Sequence, residues 1–317
     1  MTQTIVTLGA HVFDVQVRPV EAIPAGQGAT LVEQIRFGPA GTAAGTALTL
    51  AKLGATVRAA GAVGADPIGD LLLTMLAGYG IDTSLVVRRD GVQTSASVLP
   101  IRPDGSRPAF HVPGANLTYG PADAPHEEIA RATHLHLGAP ELMGGDNAAR
   151  ILAPARGAGV ITSADLLAPG DPGVLAWIAP ALSTLDYLLP NEQQVLGLTG
   201  AGTLEDGARA LIGQGVGCVA VTREARGVLV VTADEVHTVP AFAVDVVDTT
   251  GCGDAFSAGF LRGIGLGRPL RDAAVLGCAA AALVAQGLGS DHGDFDLAVA
   301  DAFAATTATL ENSDAPH

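Results

Sequence analysis

The chain has 317 residues, 48% apolar and only 15% charged, with a formal net charge of −15. Such a length suits one large core with a small appendage, and the acidity argues against sequence-independent nucleic-acid binding. No apolar run reaches the ~18 residues a membrane span needs, and three cysteines without CxxC spacing argue for a reducing compartment, so the expectation is a cytoplasmic protein.

The opening MTQTIVTLGAHVFDV lacks the basic-then-apolar pattern of a signal peptide. Residues 4–9 read as a strand, 42–53 as a helix, 57–63 as a strand and 69–78 as a helix. Strand patterns follow at 133–137, 160–163 and 187–189, then a helix at 204–212. Strands at 218–222 and 228–231 precede helices at 255–264 and 270–285. This alternation predicts an α/β fold with a mostly parallel sheet covered on both faces, whose ligands sit beyond the carboxyl ends of the strands. Two stretches break the rhythm. Residues 15–38 and 86–116 carry period-2 patches (TLVEQIRF, TSASVLPIR) and turn signals, and read as antiparallel strands of a small lid. The large domain is then 1–14, 39–85 and 117–305, with 306–317 as a flexible tail.

Of the seventeen basic residues only Lys52 is a lysine, so there is no GKS/GKT P-loop and no kinase-type VAIK strand. The stretch DTTGCGDAFSAGFL, residues 248–261, carries the chemistry. Backbone N–H groups of a Gly-rich turn, followed by a helix N-terminus, form an anion site suited to phosphate. Gly251 and Gly253 fit because a Cβ would obstruct the backbone conformation and the approach of an anion. A carboxylate beside a phosphate is repulsive, unless Asp254 takes the proton from a hydroxyl about to attack that phosphate. The bland alternative is an ordinary turn with Asp254 as helix cap. AFSAG is a near miss to a GxSxG nucleophile elbow, but Ser257 falls within the helix.

This segment resembles the second signature of the PfkB/ribokinase family of sugar and nucleoside kinases, D-T-x-G-A-G-D-x-F-x-x-G. The resemblance runs along nearly the whole chain. LGAHVFDV is similar to the family's first strand and its substrate-binding aspartate, here Asp14. GPAGTAAGTALTLAKLGATVRAAGAVGADPIGD is similar to the first signature, LLPNEQQ to the N-x-x-E region, VTREARG to the T-x-G-x-x-G turn, and LVAQGLGS to the loop near the nucleotide base. It implies a ribokinase-like three-layer sandwich with a small β lid, and a reaction of ATP, with Mg2+, and a substrate hydroxyl giving ADP and a phosphate ester. By position it implies Asp254 as base and the amides of Gly251, Cys252 and Gly253 as anion hole. Asp14, Gly41 and Gly45, with Asn116 on the lid strand, would bind the sugar. Asn191, Thr222, Gly227 and Cys278 would line the nucleotide, and Asp248, Thr250 and Ser290 match the family's potassium-type site. The partners implied are a small sugar or nucleoside, with no nucleic acid or membrane, and a homodimer through the lid's outward face.

Four positions depart from the pattern. Gly45 stands where the family carries a sugar-bonding Asn, after Ala40 and Gly41. Gln194 replaces the N-x-x-E glutamate, leaving metal to ATP phosphates, waters and Asp165. Glu224 replaces a glycine, and Cys278 an Asn near the base, although a buried apolar role fits Cys278 better. Two alternatives stay open: a nucleoside kinase, with Gly45 making room for a base, and a catalytically weakened ligand-binding protein, motivated by Gln194 and Glu224. His134 and His136 share a strand face without a third metal ligand, Asp66 or Asp70 is expected to cap a helix, Asp104-Gly105 reads as a hairpin turn, and His111 near the lid tip could reach substrate.

Overall fold

A computed structural model of the protein describes residues 3–103 and 106–310. The expected turn at Asp104-Gly105 and the end of the tail, 311–317, lie outside the described residues. From the amino end the elements run β1 (Thr4–Gly9), β2 (Val12–Arg18), β3 (Gln34–Ala40), α1 (Thr42–Lys52), β4 (Thr56–Gly64), α2 (Pro67–Gly78), β5 (Asp82–Arg89), β6 (Ala96–Pro100), β7 (Phe110–Val112) and α3 (His126–Ala130). There follow β8 (His134–Gly138), α4 (Gly145–Gly157), β9 (Ile161–Asp165), α5 (Pro172–Leu182), β10 (Tyr187–Leu188), α6 (Glu192–Thr199) and α7 (Leu204–Ile212). The chain closes with β11 (Cys218–Thr222), β12 (Val228–Thr232), β13 (Val236–Val239), α8 (Cys252–Gly265), α9 (Leu270–Ala285) and α10 (Leu297–Thr306).

Nine strands form the central sheet in the order β13-β12-β11-β10-β9-β8-β1-β4-β5. The strands from β5 to β11 pair in parallel, and only β12 runs against the rest, pairing antiparallel with both β11 and β13. Strand alternation feeds two cores. Val6 and Leu8 pack with α4, α5, α6 and α7 on one face, while Ile5 packs with α1, α2, α8 and α9 on the other. The result is three layers. Phe256 and Phe260 of α8 are almost wholly buried, and each such side chain contributes roughly 1.5–3 kcal/mol on burial.

The sequence pattern omits several elements. Helices α4 and α5 contain interior prolines, Pro154 and Pro180, which read locally as breakers. A start signal for α5 was nonetheless present: Asp171 caps it, accepting from Gly173 N and Val174 N ahead of Pro172. Asp66 caps α2 in the same way, accepting from Gly69 N. Strand β5 corrects the expected lid boundary, because it lies in the central sheet beside β4. Residues 306–310, expected to fray, are held instead. Thr306 ends α10, Ala243 N donates to Ala308 O at 2.9 Å, and Leu310 N to Ala241 O at 2.8 Å.

The second sheet, β3-β2-β6-β7, is antiparallel at both outer pairs and parallel between β2 and β6. The parallel pair follows from the long excursion through β3, α1, β4, α2 and β5 that separates those strands. Its register sorts the residues by face. Gly38, Asp14, Ser97 and His111 form one row, and Phe37, Val15, Val98 and Phe110 the neighbouring row on the opposite face. Four chain crossings join this sheet to the central one, and all are laced together. Ala43 N donates to Ala10 O, Phe13 N to Ser95 O and Ala115 N to Gln93 O, at 3.2, 2.9 and 2.9 Å. Asn116 completes the seam, accepting from His11 N at 3.2 Å and donating to His11 O at 3.1 Å.

Candidate functional site

The turn before α8 folds as it does because Asp248 organises it. Its Oδ1 accepts from Thr250 N at 2.9 Å and Thr250 Oγ1 at 2.7 Å, and its Oδ2 accepts from Gly289 N at 3.0 Å. Gly251 then takes a left-handed conformation (φ 77°) as N-cap of α8. A Cβ there would also strike Ser290, whose Cα would be 2.6 Å away. Gly253 departs from expectation: its φ is ordinary and a Cβ would meet nothing within 4 Å. Open space, and not backbone strain, is what lies in front of it. Among the described residues the N–H groups of Gly251 and Gly253 have no acceptor, while that of Cys252 turns back to Thr249 O at 3.3 Å.

Asp254 stands in the first turn of α8, half-buried, and its carboxylate has no hydrogen-bond partner among the described residues. It is not the cap; Gly251 is. Burial pushes its carboxyl well above the ordinary range, Asp165 and Asp14 push the same way, and Arg107 opposes them. The carboxylate leans on α1, so that a Cβ at Gly45 would lie 2.2 Å from Asp254 Oδ2. This corrects the expected role of Gly45. It is buried, and the space beside it is taken by the carboxylate. The N-terminus of α1 forms at Gly41 (φ 91°), where a Cβ would strike Ala10 O at 2.6 Å.

Asp14 lies on β2 of the smaller sheet, and not at the end of β1 as expected. Its carboxyl is raised to about 6, chiefly by burial, and Ser97, Arg107 and Asp248 are its electrostatic neighbours. A narrow crevice, too tight as it stands to admit a water-sized sphere, lies there, lined in part by Asp14, Gln16, Arg36, Gly38, Gly289 and Ser290. Gln16 Oε1, Arg36 Nη1 and Ser290 Oγ are buried without partners among the described residues. A larger cavity of about 530 Å³ lies away from these residues, lined by Ile161, Tyr187 and Cys218 at the amino ends of their strands. Ligands of such sheets bind at the other end.

Arg107, which the sequence reading passed over, reaches from the segment before β7 onto the α8 turn. It donates to Thr250 Oγ1, to Thr249 Oγ1 at 3.3 Å, and lies 3.9 Å from Asp248 Oδ1. The expected cation ligands Asp248, Thr250 and Ser290 do gather here. However, both Asp248 oxygens and the Thr250 hydroxyl are already engaged, and a guanidinium stands beside them. Asn116 is a further correction: it sits in a short turn at Gly114–Thr118, and its side chain pairs with His11 instead of facing the crevice. His111 pairs with Ser97 Oγ at 3.0 Å.

At the far side of α8, Asn191 caps α6 and bridges Thr222 at the end of β11. Gln194 closes the capping box and donates from Nε2 to Leu166 O and Ala168 O at 2.9 and 3.1 Å. Glu141 holds the same loop, its Oε1 accepting from Leu167 N and Ala168 N at 2.6 Å. Glu224 keeps a left-handed conformation (φ 52°) with its side chain exposed, and Gly227 (φ 79°) packs against Val239 O. Cys278 is buried, its thiol pushed up to about 12, with Arg223 close by. His134 and His136 are buried; His136 Nδ1 pairs with Ser163 Oγ at 3.0 Å and its Nε2 lies 3.5 Å from Asp165 Oδ2.

The profile of the pfkB family carbohydrate kinases matches residues 2–294. An ATP-dependent ribose-1-phosphate kinase of Halopiger xanaduensis is 32% identical over 251 residues, 78% of this chain and 80% of that protein. Fructokinase-1 of Oryza sativa subsp. japonica is 29% identical, over 77% of this chain and 80% of its own. Among solved structures, Arabidopsis thaliana ribokinase complexed with ribose and ATP superposes with a TM-score of 0.84 at 23% identity, covering 96% of this chain and 99% of that one.

Proposed function

The chain belongs to the pfkB family of carbohydrate kinases, and from that premise we propose that it transfers the γ-phosphoryl group of ATP to a hydroxyl of a sugar or sugar-like molecule, with Asp254 as general base. The observation that carries the proposal is the first turn of α8, where a carboxylate without a protein partner stands beside unpaired N–H groups and open space.

Asp14 and the unpartnered polar atoms of its crevice would orient the acceptor. Asp254 takes the hydroxyl proton as the oxygen bonds to the γ-phosphorus and the bridge to the β-phosphate breaks, releasing ADP. The amides of Gly251 and Gly253, with that of Cys252 once it leaves Thr249, stabilise the charge on the transferred group. Arg107 supplies positive charge from the lid side. Thr222, Gly227 and Asn191 would line the nucleotide, with Cys278 as part of the wall behind it. No cluster of three or more His, Cys, Asp or Glu side chains occurs among the described residues, which fits a Mg2+ that arrives with the ATP phosphates and waters. Asp165, whose Oδ1 is buried and unpartnered, would face it; magnesium neutralises phosphate charge when bound. A monovalent cation at Asp248, the backbone of Thr250 and Ser290 would compete with the hydrogen bonds that Asp248 already accepts and with the Arg107 guanidinium, and no step runs through one.

The nucleoside alternative loses its motivation, because the room expected at Gly45 is filled by the Asp254 carboxylate. The binding-only alternative weakens as well, since Gln194 has a structural role and Glu224 keeps the glycine-like backbone. A homodimer is proposed through the face bearing Ile35, Phe37, Val98 and Phe110, all more than 40% exposed. No helix among the described residues is long and apolar enough to cross a membrane. The test is ADP release from ATP with a panel of pentoses, hexoses, sugar phosphates and nucleosides. Turnover with a sugar or sugar phosphate is expected; turnover with nucleosides alone, or with no acceptor, would overturn the reading.

A further inference from the structure

The one lysine of the chain is held in an unusual setting. Lys52 Nζ, at the carboxyl end of α1, donates to the carbonyls of Asp291, His292 and Gly293 at 2.7, 2.8 and 2.6 Å. It also lies 5.0 Å from the Phe295 ring centroid and 5.7 Å from that of Tyr79. Three carbonyls and two aromatic faces form a cation cage, with all three ammonium protons spent on main-chain oxygens. An ordinary surface lysine gains little from one partner and keeps its head in water.

The caged loop touches the candidate site directly. Gly289 N donates to Asp248 Oδ2, and Ser290 packs against Gly251, where the left-handed turn begins. The same loop is steadied from the side by Asp291, which accepts from Arg36 at 2.5 Å and from Tyr79 Oη at 3.1 Å. Without the ammonium, three carbonyls would face one another at close range with no donor between them.

We propose that Lys52 is a positioning residue for phosphoryl transfer, a tethered monovalent cation that fastens the 288–293 loop and through it fixes the Asp248–Gly251 turn. The proposal rests on the kinase reading, and its test separates the two. Burial lowers the ammonium to about 8, while Asp291 and Asp294 hold it up, so the cation persists at neutral pH.

The experiment uses the full chain as wild type, Lys52→Met and Lys52→Ala. Both variants are expected to speed amide exchange at residues 248–254. They should lower kcat about 10–100-fold, with a smaller change in KM for ATP, because a misplacement near 1 Å can cost that much. Methylammonium should restore part of the turnover of Lys52→Ala, whose cage is empty, and none of that of Lys52→Met, whose stem fills it. Wild-type exchange and turnover in Lys52→Met, or no rescue of Lys52→Ala, would overturn the proposal. Should the variants not fold, acetylation of wild-type Lys52 followed by mass spectrometry decides. Turnover falling in step with acetylation supports the role, and full acetylation with turnover intact refutes it. If the wild type phosphorylates no acceptor, the kinase reading fails alone, and unchanged exchange at 248–254 in Lys52→Met would still refute the role of Lys52.

Discussion

At the start of α8, the N–H groups of Gly251 and Gly253 and the carboxylate of Asp254 have no partner within the described protein. At the start of α6 the polar groups are consumed: Asn191 and Gln194 close on each other, and Gln194 reaches on to two carbonyls. Both are helix N-termini with the same favourable dipole. What separates them is unspent hydrogen-bonding capacity, which leaves the start of α8 open to an outside partner and the start of α6 closed to one. On the proposed kinase reading, chemistry belongs to the first and not to the second.

The strongest way to break the contrast is Asp254→Asn. Turnover should fall about 10²–10⁴-fold, the range for removal of a general base, while ATP binding measured by calorimetry stays near wild type. The variant should also melt higher at pH 7. A carboxyl raised by burial favours its protonated form in the fold, so its stabilising effect is present below the unfolded value near 4 and is lost as pH rises through the folded value. The gain in melting temperature should therefore shrink as pH falls toward 4. In the wild type the acid limb of kcat should lie above the ordinary carboxylate range, and Asp254→Asn should lack it.

Arg107→Met comes next, with kcat lowered about 10²-fold if the guanidinium stabilises transferred charge, and with a loss of stability of about 1–3 kcal/mol from its bonds to Thr249 and Thr250. Gly45→Ala should follow at about 10-fold or more, since its Cβ must displace the Asp254 carboxylate; a crystal structure of the variant would show the shift. The smallest kinetic effect belongs to Gln194→Glu. Restoring the family's charge removes two donated hydrogen bonds, so stability should drop about 1–3 kcal/mol by denaturant titration. Turnover should stay within a few-fold, and a marked increase would show that the α6 terminus is short of charge after all.

Much of this was legible in the sequence. Seven of the nine central strands and the α8 loop announce themselves through apolar runs and a glycine pattern, while β5 was read largely into the lid and β13 was missed. The place of Asp254 in the first turn of a helix behind a glycine turn was legible as well. The failures share a cause: partners remote in the chain. Gly45 reads as a lost side chain until Asp254 is seen resting on it, and Asn116 reads as a sugar ligand until both ends of its amide are found on His11. Arg107 lies in a stretch whose local pattern says only hairpin, and nothing there marks which of its arginines folds inward. Pro154 and Pro180 hid two helices because a proline's local preference was outweighed by packing against the sheet.

The four crossings, laced by the bonds of Ala10, Phe13, Ala115 and Asn116, have a mechanical consequence. A plate stitched along a single edge has one easy degree of freedom, so any hinging of the small sheet would carry the Asp14 face and the Arg107 segment together. On the proposed kinase reading, acceptor capture, delivery of positive charge and exclusion of water would then be one event.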